Sequence, residues 1–264
     1  MTIIAKVDAI CPDLKRALVS LNAQNPFMDF NLGLSESEKH QFNRIVVEPC
    51  DCYNNYGNLR GLVVDLTIFF ESMGNDYDSS YVVAKSIHKI VQKIVRDLRA
   101  ESFWLTMRIP NKSNLFDVPR WHQDGYYYSP FRGFMYKIAL TLKGPTTLFY
   151  NISSQDRKKF DEIFDRKIEY KDENGQLQRE SYGDTIEGRK ELDKDIDHSK
   201  VHQPKLYTGT VFIVGDNAAV HSEPPIHSDR IFISIVPGSK KQIQELQNKH
   251  HNKEYIKVIS TTYK

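Results

Sequence analysis

The feature that most restricts the fold of this chain is a short motif, His122-Gln123-Asp124, at the end of a predicted strand. In an extended segment, residues i and i+2 point to the same side, so His122 and Asp124 can bind one metal ion together. A third ligand has to come from a distant part of the chain, and His221 is the candidate. The fold therefore has to bring together two strands that are far apart in sequence.

Two imidazoles and one carboxylate on one face of a metal ion, with the opposite positions open, are typical of non-haem Fe(II) sites. Arg230 follows His221 by nine positions across a turn. Its planar guanidinium is suited to binding both oxygens of a carboxylate. His227 is an alternative third ligand, but no strand precedes it. We therefore predict His122, Asp124 and His221 as metal ligands and Arg230 as the fourth catalytic residue.

Alternation along the neighbouring strands gives further candidates for contacts to a co-substrate or substrate. Ser234 shares one face of its strand with Arg230, while the isoleucines between them share the other face. Arg108 and Lys137 lie on predicted strands that flank the motif. Tyr136 is also a candidate, but it faces the side opposite to Lys137, so only one of the two can point into the site.

The periodicity of apolar residues predicts an α+β fold in a single domain. Residues 1–102 are predicted to be mainly helical, and the strongest helix covers 78–100, where apolar side chains recur at helical spacing. Short strands separated by turns follow over 103–239, which is typical of a jelly roll, that is, a double-stranded β-helix. Residues 240–264 are predicted as a C-terminal helix and tail. The helical N-terminal part is expected to cover one face of the jelly roll.

A strongly charged stretch, at about residues 153–203, interrupts the predicted strands. Within it, Asn174-Gly175 is a hairpin-turn signal between two short segments. We predict an insertion on the surface, part helix and part hairpin. A substrate-facing lid is the alternative interpretation.

Composition argues against several classes of partner. A net charge of +2 is too small to indicate nucleic acid or an anionic membrane. The longest apolar run, 61–70, is much shorter than the roughly 20 residues that span a bilayer. The start of the sequence lacks the pattern of a signal peptide, and three cysteines do not suggest a disulfide scaffold. We expect a cytoplasmic protein with neither nucleic-acid nor membrane partners.

Together, the His122-Gln123-Asp124 motif, His221 and Arg230 resemble the Fe(II)- and 2-oxoglutarate-dependent dioxygenase superfamily. The stretch from His122 to Arg132 is most similar to the phytanoyl-CoA hydroxylase branch, because a His-Gln-Asp triplet is followed by aromatic residues and a Pro-Phe-Arg run. The strand layout over about 103–237 also fits the double-stranded β-helix of that superfamily.

This resemblance implies a function. His122, Asp124 and His221 would bind Fe(II), and Arg230 would bind the distal carboxylate of the co-substrate 2-oxoglutarate. Decarboxylation of 2-oxoglutarate to succinate and CO2 would be coupled to hydroxylation of a C–H bond by molecular oxygen. The substrate, a small molecule or a peptide, is not identified by the resemblance.

The chain also departs from that branch. The segment 147–151 replaces a Pro-Gly-Ser-His type of segment, and the gap from His221 to Arg230 is a little short. These departures bear on the substrate class far more than on the metal. Two alternatives to the oxygenase also stay open, a cupin-type metal enzyme that does not use 2-oxoglutarate and a non-enzymatic jelly-roll binding module with a vestigial metal site. Against the first, cupin sites usually use a His-x-His pair, which is not found near the motif. Against the second, a binding module has no need for the guanidinium of Arg230.

Overall fold

Most of the helical residues that the structure describes lie in the first 100 residues of the chain. The computed structural model describes residues 12–129, 133–171 and 174–250. The α-helices of this part of the chain are α1 (Leu14–Ser20), α2 (Glu36–Arg44), α3 (Leu62–Glu71), α4 (Tyr77–Asp97), α5 (Ser154–Phe164), α6 (Ile186–Asp195) and α7 (240–250). Among these described helices, none combines the length and the apolar character needed to cross a membrane.

Helix α4 shows how the sequence produces these elements. The side chain of Asp76 caps its first turn by accepting a hydrogen bond from the backbone N–H of Ser79 at 2.8 Å. Its apolar residues form one buried stripe, made of Val83, Ala84, Ile87, Ile90, Val91 and Ile94. The helix predicted over 78–100 is present and ends slightly earlier, at Asp97.

Two antiparallel sheets surround the predicted site. The strands are β1 (Phe27–Asn31), β2 (Cys50–Tyr56), β3 (Ser102–Ile109), β4 (Met135–Lys143), β5 (Leu148–Tyr150), β6 (Lys167–Lys171), β7 (Leu177–Ser181), β8 (Val201–His202), β9 (Thr208–Val214), β10 (Val220–Ser222) and β11 (Ile231–Gly238). The larger sheet has the order β1-β9-β4-β11-β3-β2, and the smaller sheet has the order β10-β5-β8. Strands β6 and β7 form a separate hairpin.

The N-terminal segment contributes two strands in addition to its helices. Strand β1 pairs with β9, and β2 pairs with β3, so each forms an edge of the larger sheet. The prediction that residues 1–102 are mainly helical did not foresee either strand. Both strands carry polar side chains such as Asp29 and Asn54, which weakens the alternation of apolar residues that marks a strand.

The larger sheet is covered on both faces. Helices α1 to α4 pack on one face, where the apolar residues of alternate strand positions join the main core, among them Leu105, Ile138, Val211 and Ile233. On the other face, Phe212 of the larger sheet meets Phe149 of the smaller sheet, with ring centroids 5.4 Å apart. The described part of the chain is thus a mixed structure of helices and antiparallel sheets, and the predicted site lies between the two sheets.

The charged insertion forms an outer layer on the smaller sheet. Strands β6 and β7 pair on either side of the predicted turn at Asn174-Gly175, and α5 and α6 flank this hairpin in sequence. Phe160 and Leu192 of the two helices belong to one buried cluster with Trp121 and Val220. The insertion is therefore part helix and part hairpin, but one of its sides is apolar and packed rather than solvated.

Candidate metal centre

Three side chains with metal-binding atoms meet between the two sheets. His221 lies on β10, and the backbones of His122 and His221 exchange both of their N–H to O hydrogen bonds, at 2.9 and 3.0 Å. Asp124 Oδ2 lies 3.6 Å from His221 Nε2. One potential ligand atom of each residue lies within 4.8 Å of the other two. The structure thus brings together the three side chains that were predicted from the sequence as metal ligands.

Backbone carbonyls fix the orientation of both imidazole rings. His122 Nδ1 lies 2.7 Å from the carbonyl oxygen of Arg120, and His221 Nδ1 lies 3.0 Å from that of Ala219. Because a carbonyl oxygen can only accept, each Nδ1 donates and each Nε2 keeps its lone pair. Histidines that bind metals usually have such a partner on the second ring nitrogen.

Burial also sets the charges of the centre. It lowers the pKa of His122 to about 3, with a further contribution from His221, and it lowers the pKa of His221 as well. For Asp124, burial would raise the pKa of the carboxyl, but Lys137 and the two imidazoles together bring it below its usual range. At neutral pH the centre therefore offers two neutral nitrogen donors and one carboxylate, which are the protonation states that metal binding requires.

Lys137 lies directly beside this carboxylate. Its Nζ donates to Asp124 Oδ2 at 2.8 Å and to Tyr127 Oη at 2.7 Å. Burial would lower the pKa of Lys137, but the negative charge of Asp124 and the Tyr127 hydroxyl raise it, so the ammonium stays charged. Lys137 was predicted to contact the co-substrate or substrate, whereas in the structure its ammonium donates to Asp124, a predicted metal ligand.

The three side chains open onto a pocket of about 360 Å³. Its apolar lining consists of Trp104, Pro110, Phe116, Tyr127, Ile226 and Phe232. Its charged lining, besides Asp124, consists of Arg108, Arg120, Lys137, Glu223 and Arg230. A larger cavity of about 550 Å³ lies on the helix-covered side of the larger sheet and contains none of the three predicted ligands.

Arg230 is buried in the pocket wall, with 3% of its surface exposed. Its Nε donates to the carbonyl oxygen of Pro145 at 2.9 Å, its Nη2 donates to Thr147 Oγ1 at 3.2 Å, and its guanidinium lies 4.6 Å from the centre of the Phe232 ring. Burial lowers the pKa of Arg230 to about 10. Among the residues that the structure describes, no carboxylate forms a salt bridge with it. A buried cation without a bound anion beside it destabilises the folded protein.

Of the remaining predicted contacts, Ser234 and Arg108 line the pocket and Tyr136 does not. Tyr136 packs on the helix-covered side of the larger sheet and lines the larger cavity. Neighbouring residues of a strand face opposite sides, so the position of Lys137 in the pocket forces Tyr136 away from it. The prediction of Tyr136 as a cofactor contact is therefore corrected.

The pocket wall also contains an ion pair that was not predicted from the sequence. Arg120 donates to Glu223 through Nη2 at 2.9 Å and through Nε at 3.3 Å, and it also lies 3.4 Å from Asp184 of the insertion. Burial would raise the pKa of Glu223, but His122 and Arg120 lower it to about 2. Arg120 stands two positions before His122 and Glu223 two positions after His221, so the same i, i+2 rule could have indicated both.

Other parts of the sequence pattern do not join the centre. His227 Nε2 lies 3.0 Å from Asp117 on the surface, with 60% of its side chain exposed. Residues 130–132, which carry the Pro-Phe-Arg part of the resemblance, lie outside the described residues. By contrast, Thr147 from the segment that departs from the family pattern contributes its hydroxyl to Arg230.

No family model matches the sequence, and no curated protein matches it. Among solved structures, a Pseudomonas putida prolyl-4-hydroxylase is similar with a TM-score of 0.37 and 11% identity, over 87% of this chain and 96% of that chain. A dioxygenase for auxin oxidation in rice gives 0.32 and 11%, over 84% and 66% of the two chains. A full-length Neurospora crassa protein in complex with alpha-KG gives 0.33 and 12%, over 85% and 77%.

Proposed function

We propose that this protein is an Fe(II)- and 2-oxoglutarate-dependent oxygenase that hydroxylates a small-molecule or peptide substrate. The observation that carries the proposal is the meeting of His122, Asp124 and His221 in one pocket with the buried guanidinium of Arg230. The first three provide a metal site, and the fourth provides a site for a carboxylate. A metal site alone would fit many activities, whereas the combination fits a chelating dicarboxylate bound next to the metal.

The donor set fits Fe(II), a metal of intermediate softness that accepts imidazole nitrogen together with carboxylate oxygen. His122 and His221 are neutral, their Nδ1 atoms are occupied by carbonyl groups, and Asp124 supplies one negative charge. When bound, Fe(II) would supply the activation of molecular oxygen that couples decarboxylation of 2-oxoglutarate to hydroxylation of the substrate.

Arg230 would hold the distal carboxylate of 2-oxoglutarate. Two of its N–H groups are used by Pro145 and Thr147, which orient the guanidinium and leave its other N–H groups for an anion. Ser234 lies on the same wall, two positions beyond Phe232 on the same strand, and can donate to the same carboxylate. Arg108 lies on β3 opposite Phe232 of β11, and it provides a second cation for an acidic group of the co-substrate or of the substrate.

The substrate would bind on the remaining side of the pocket. This side is lined by the aromatic rings of Trp104, Phe116 and Tyr127. The Arg120–Glu223 ion pair adds a polar group to the same side. Such walls suit an organic substrate that is partly apolar and exclude bulk water from the metal centre.

For the fold, we propose a double-stranded β-helix of the phytanoyl-CoA hydroxylase type. The chain passes from β3 in the larger sheet to His122 beside the smaller sheet, then to β4 in the larger and β5 in the smaller. After the insertion it continues from β8 in the smaller sheet to β9, β10 and β11, which again belong to the larger, smaller and larger sheets. This winding between two sheets supports the proposal, and the stretch His122 to Ser129 supports the choice of branch.

The direct test is an anaerobic titration of the protein with Fe(II) and 2-oxoglutarate, followed by the weak visible charge-transfer band of the chelate. We expect the band in the wild-type protein and its loss in His122→Ala with folding retained. Slow release of succinate on admission of oxygen would then support 2-oxoglutarate turnover. If the protein binds the metal but shows neither the charge-transfer band nor release of succinate, the cupin-type enzyme is favoured. If it does not bind the metal, the binding module is favoured.

A further inference from the structure

We infer that Lys137 is a resident counter-ion of the metal centre, which stabilises the metal-free site and thereby weakens its affinity for the metal. This role presupposes the metal centre of the proposed function. Lys137 is a positioning residue in this role, because it acts through Asp124. It is neither one of the three predicted metal ligands nor the predicted carboxylate contact, Arg230.

The geometry of one oxygen atom points to this role. Asp124 Oδ2 lies 2.8 Å from Lys137 Nζ and 3.6 Å from His221 Nε2. The same carboxylate oxygen therefore faces both the ammonium and the imidazole nitrogen that would bind the metal. A cation held between Asp124 and His221 has to share this oxygen with Lys137 or displace the ammonium from it.

Lys137 is held in place from several sides. Its Nζ donates to Tyr127 Oη at 2.7 Å and lies 5.3 Å from the centre of the Tyr127 ring and 5.9 Å from that of Phe212. Only 15% of its side chain is exposed. The ammonium thus cannot be moved into water without loss of these contacts, and little solvent lies nearby to screen its charge from a bound metal ion.

The charges of the centre explain why such a residue stabilises the metal-free protein. A buried carboxylate without a partner is strongly destabilising, and the two neutral imidazoles cannot compensate it. The ammonium of Lys137 balances the charge of Asp124 while no metal is bound. When a divalent ion enters, the same ammonium repels it and competes for Oδ2, so the metal binds more weakly than it would to the three ligands alone.

The test is calorimetric titration of the full chain with Co(II) alone, without 2-oxoglutarate or oxygen. Lys137→Met removes the charge and the hydrogen bond, and Lys137→Gln removes the charge but keeps a donor, so the second variant serves if the first does not fold. We expect both variants to bind Co(II) at least about tenfold more tightly than the wild type, whereas Lys137→Arg should stay near the wild-type value. The metal-free variants should unfold at lower temperature, and Co(II) should raise that temperature by more than in the wild type.

Lys143→Met is the matched control, since Lys143 is a second largely buried lysine on β4 whose Nζ donates to a backbone carbonyl outside the pocket. It should leave Co(II) affinity unchanged. Equal or weaker Co(II) binding by the two neutral Lys137 variants would overturn the role of Lys137 and leave the proposed function intact. If neither the wild type nor the variants bind Co(II), the counter-ion role and the metal centre both fail.

Discussion

Gly144 lies against the backbone of Arg230: a Cβ atom added to Gly144 would come within 3.1 Å of Arg230 Cα and 2.1 Å of the carbonyl oxygen of Asp229. Gly144 also has a φ of +79°, which side chains other than glycine rarely adopt. The next residue, Pro145, provides the carbonyl that orients Arg230. The turn and the guanidinium are therefore positioned together.

We expect Gly144→Ala to destabilise the protein and to weaken the binding of 2-oxoglutarate. The left-handed backbone alone costs about 1–2 kcal/mol, and the collision adds to it by moving the turn away from Arg230. Gly175→Ala is the matched control, since Gly175 has a φ of +76° with nothing within 4 Å of its added Cβ. Urea unfolding should show a smaller loss of stability in Gly175→Ala than in Gly144→Ala. Titration with 2-oxoglutarate should show no loss of affinity in Gly175→Ala. Equal effects of the two substitutions would contradict this coupling.

His221→Ala should abolish the metal site. Loss of an outer-shell partner already weakens metal binding by about 10- to 100-fold, so loss of a ligand is expected to weaken Co(II) binding by about 100-fold or more. The measurement is a Co(II) titration of folded protein, with His227→Ala as the control because His227 is exposed and pairs with Asp117 on the surface. Unchanged affinity in His221→Ala would exclude His221 as a ligand.

Arg230→Lys should weaken 2-oxoglutarate binding without loss of metal binding. Lysine keeps the positive charge but lacks the planar fork that Pro145 and Thr147 orient, so about 1.5–3 kcal/mol of binding free energy is lost, roughly a factor of 10 to 150. Arg179→Lys, which changes a surface arginine paired with Glu169, is the control. Equal 2-oxoglutarate affinity in Arg230→Lys and the wild type would refute the assigned carboxylate contact.

The pair His202–Asp29 predicts a pH dependence of stability. His202 Nε2 lies 2.7 Å from Asp29 Oδ2, and this hydrogen bond, although opposed by burial, raises the pKa of His202 above 6.5. Because the pKa of His202 is higher in the folded than in the unfolded protein, the pair stabilises the folded state fully when the pH is below the unfolded-state pKa. This stabilisation is lost as the pH rises through the folded-state pKa. With 45% of the His202 side chain exposed, the contribution stays below about 1 kcal/mol.

Urea unfolding of the wild type and His202→Gln at about pH 5.5 and about pH 8.5 checks this prediction. The wild type should be more stable than the variant at the lower pH, and the difference should shrink at the higher pH. A difference that is independent of pH would show that protonated His202 does not contribute.

Regular spacing was enough to predict that His122 and Asp124 lie side by side. The i, i+2 rule placed His122 and Asp124 on one side, and strand alternation correctly put Lys137 and Tyr136 on opposite faces of β4. What spacing cannot give is the partner of a side chain across the fold. The contact of Lys137 with Asp124 depends on how β4 is placed relative to Asp124 in the folded chain, and no local pattern encodes that distance.

The elements that were missed are those whose burial is decided by tertiary packing. Strands β1 and β2 gain their hydrogen bonds from edges of the larger sheet, and their own polar residues give no alternation to detect. The packed side of the insertion was hidden in the same way, because Phe160 and Leu192 are scattered among charged residues and find their apolar partners only on the smaller sheet.

The backbone hydrogen bonds between His122 and His221 join the two ends of the segment 123–220. His122 and His221 are held in place by these hydrogen bonds and by the pairing of β10 with β5. The position of the metal site therefore does not depend on an unbroken peptide chain at the distant Asn174-Gly175 turn. A chain divided at that turn retains, in its two fragments, every strand that supports the centre. We therefore expect two fragments divided at this turn to reassemble with the metal centre intact.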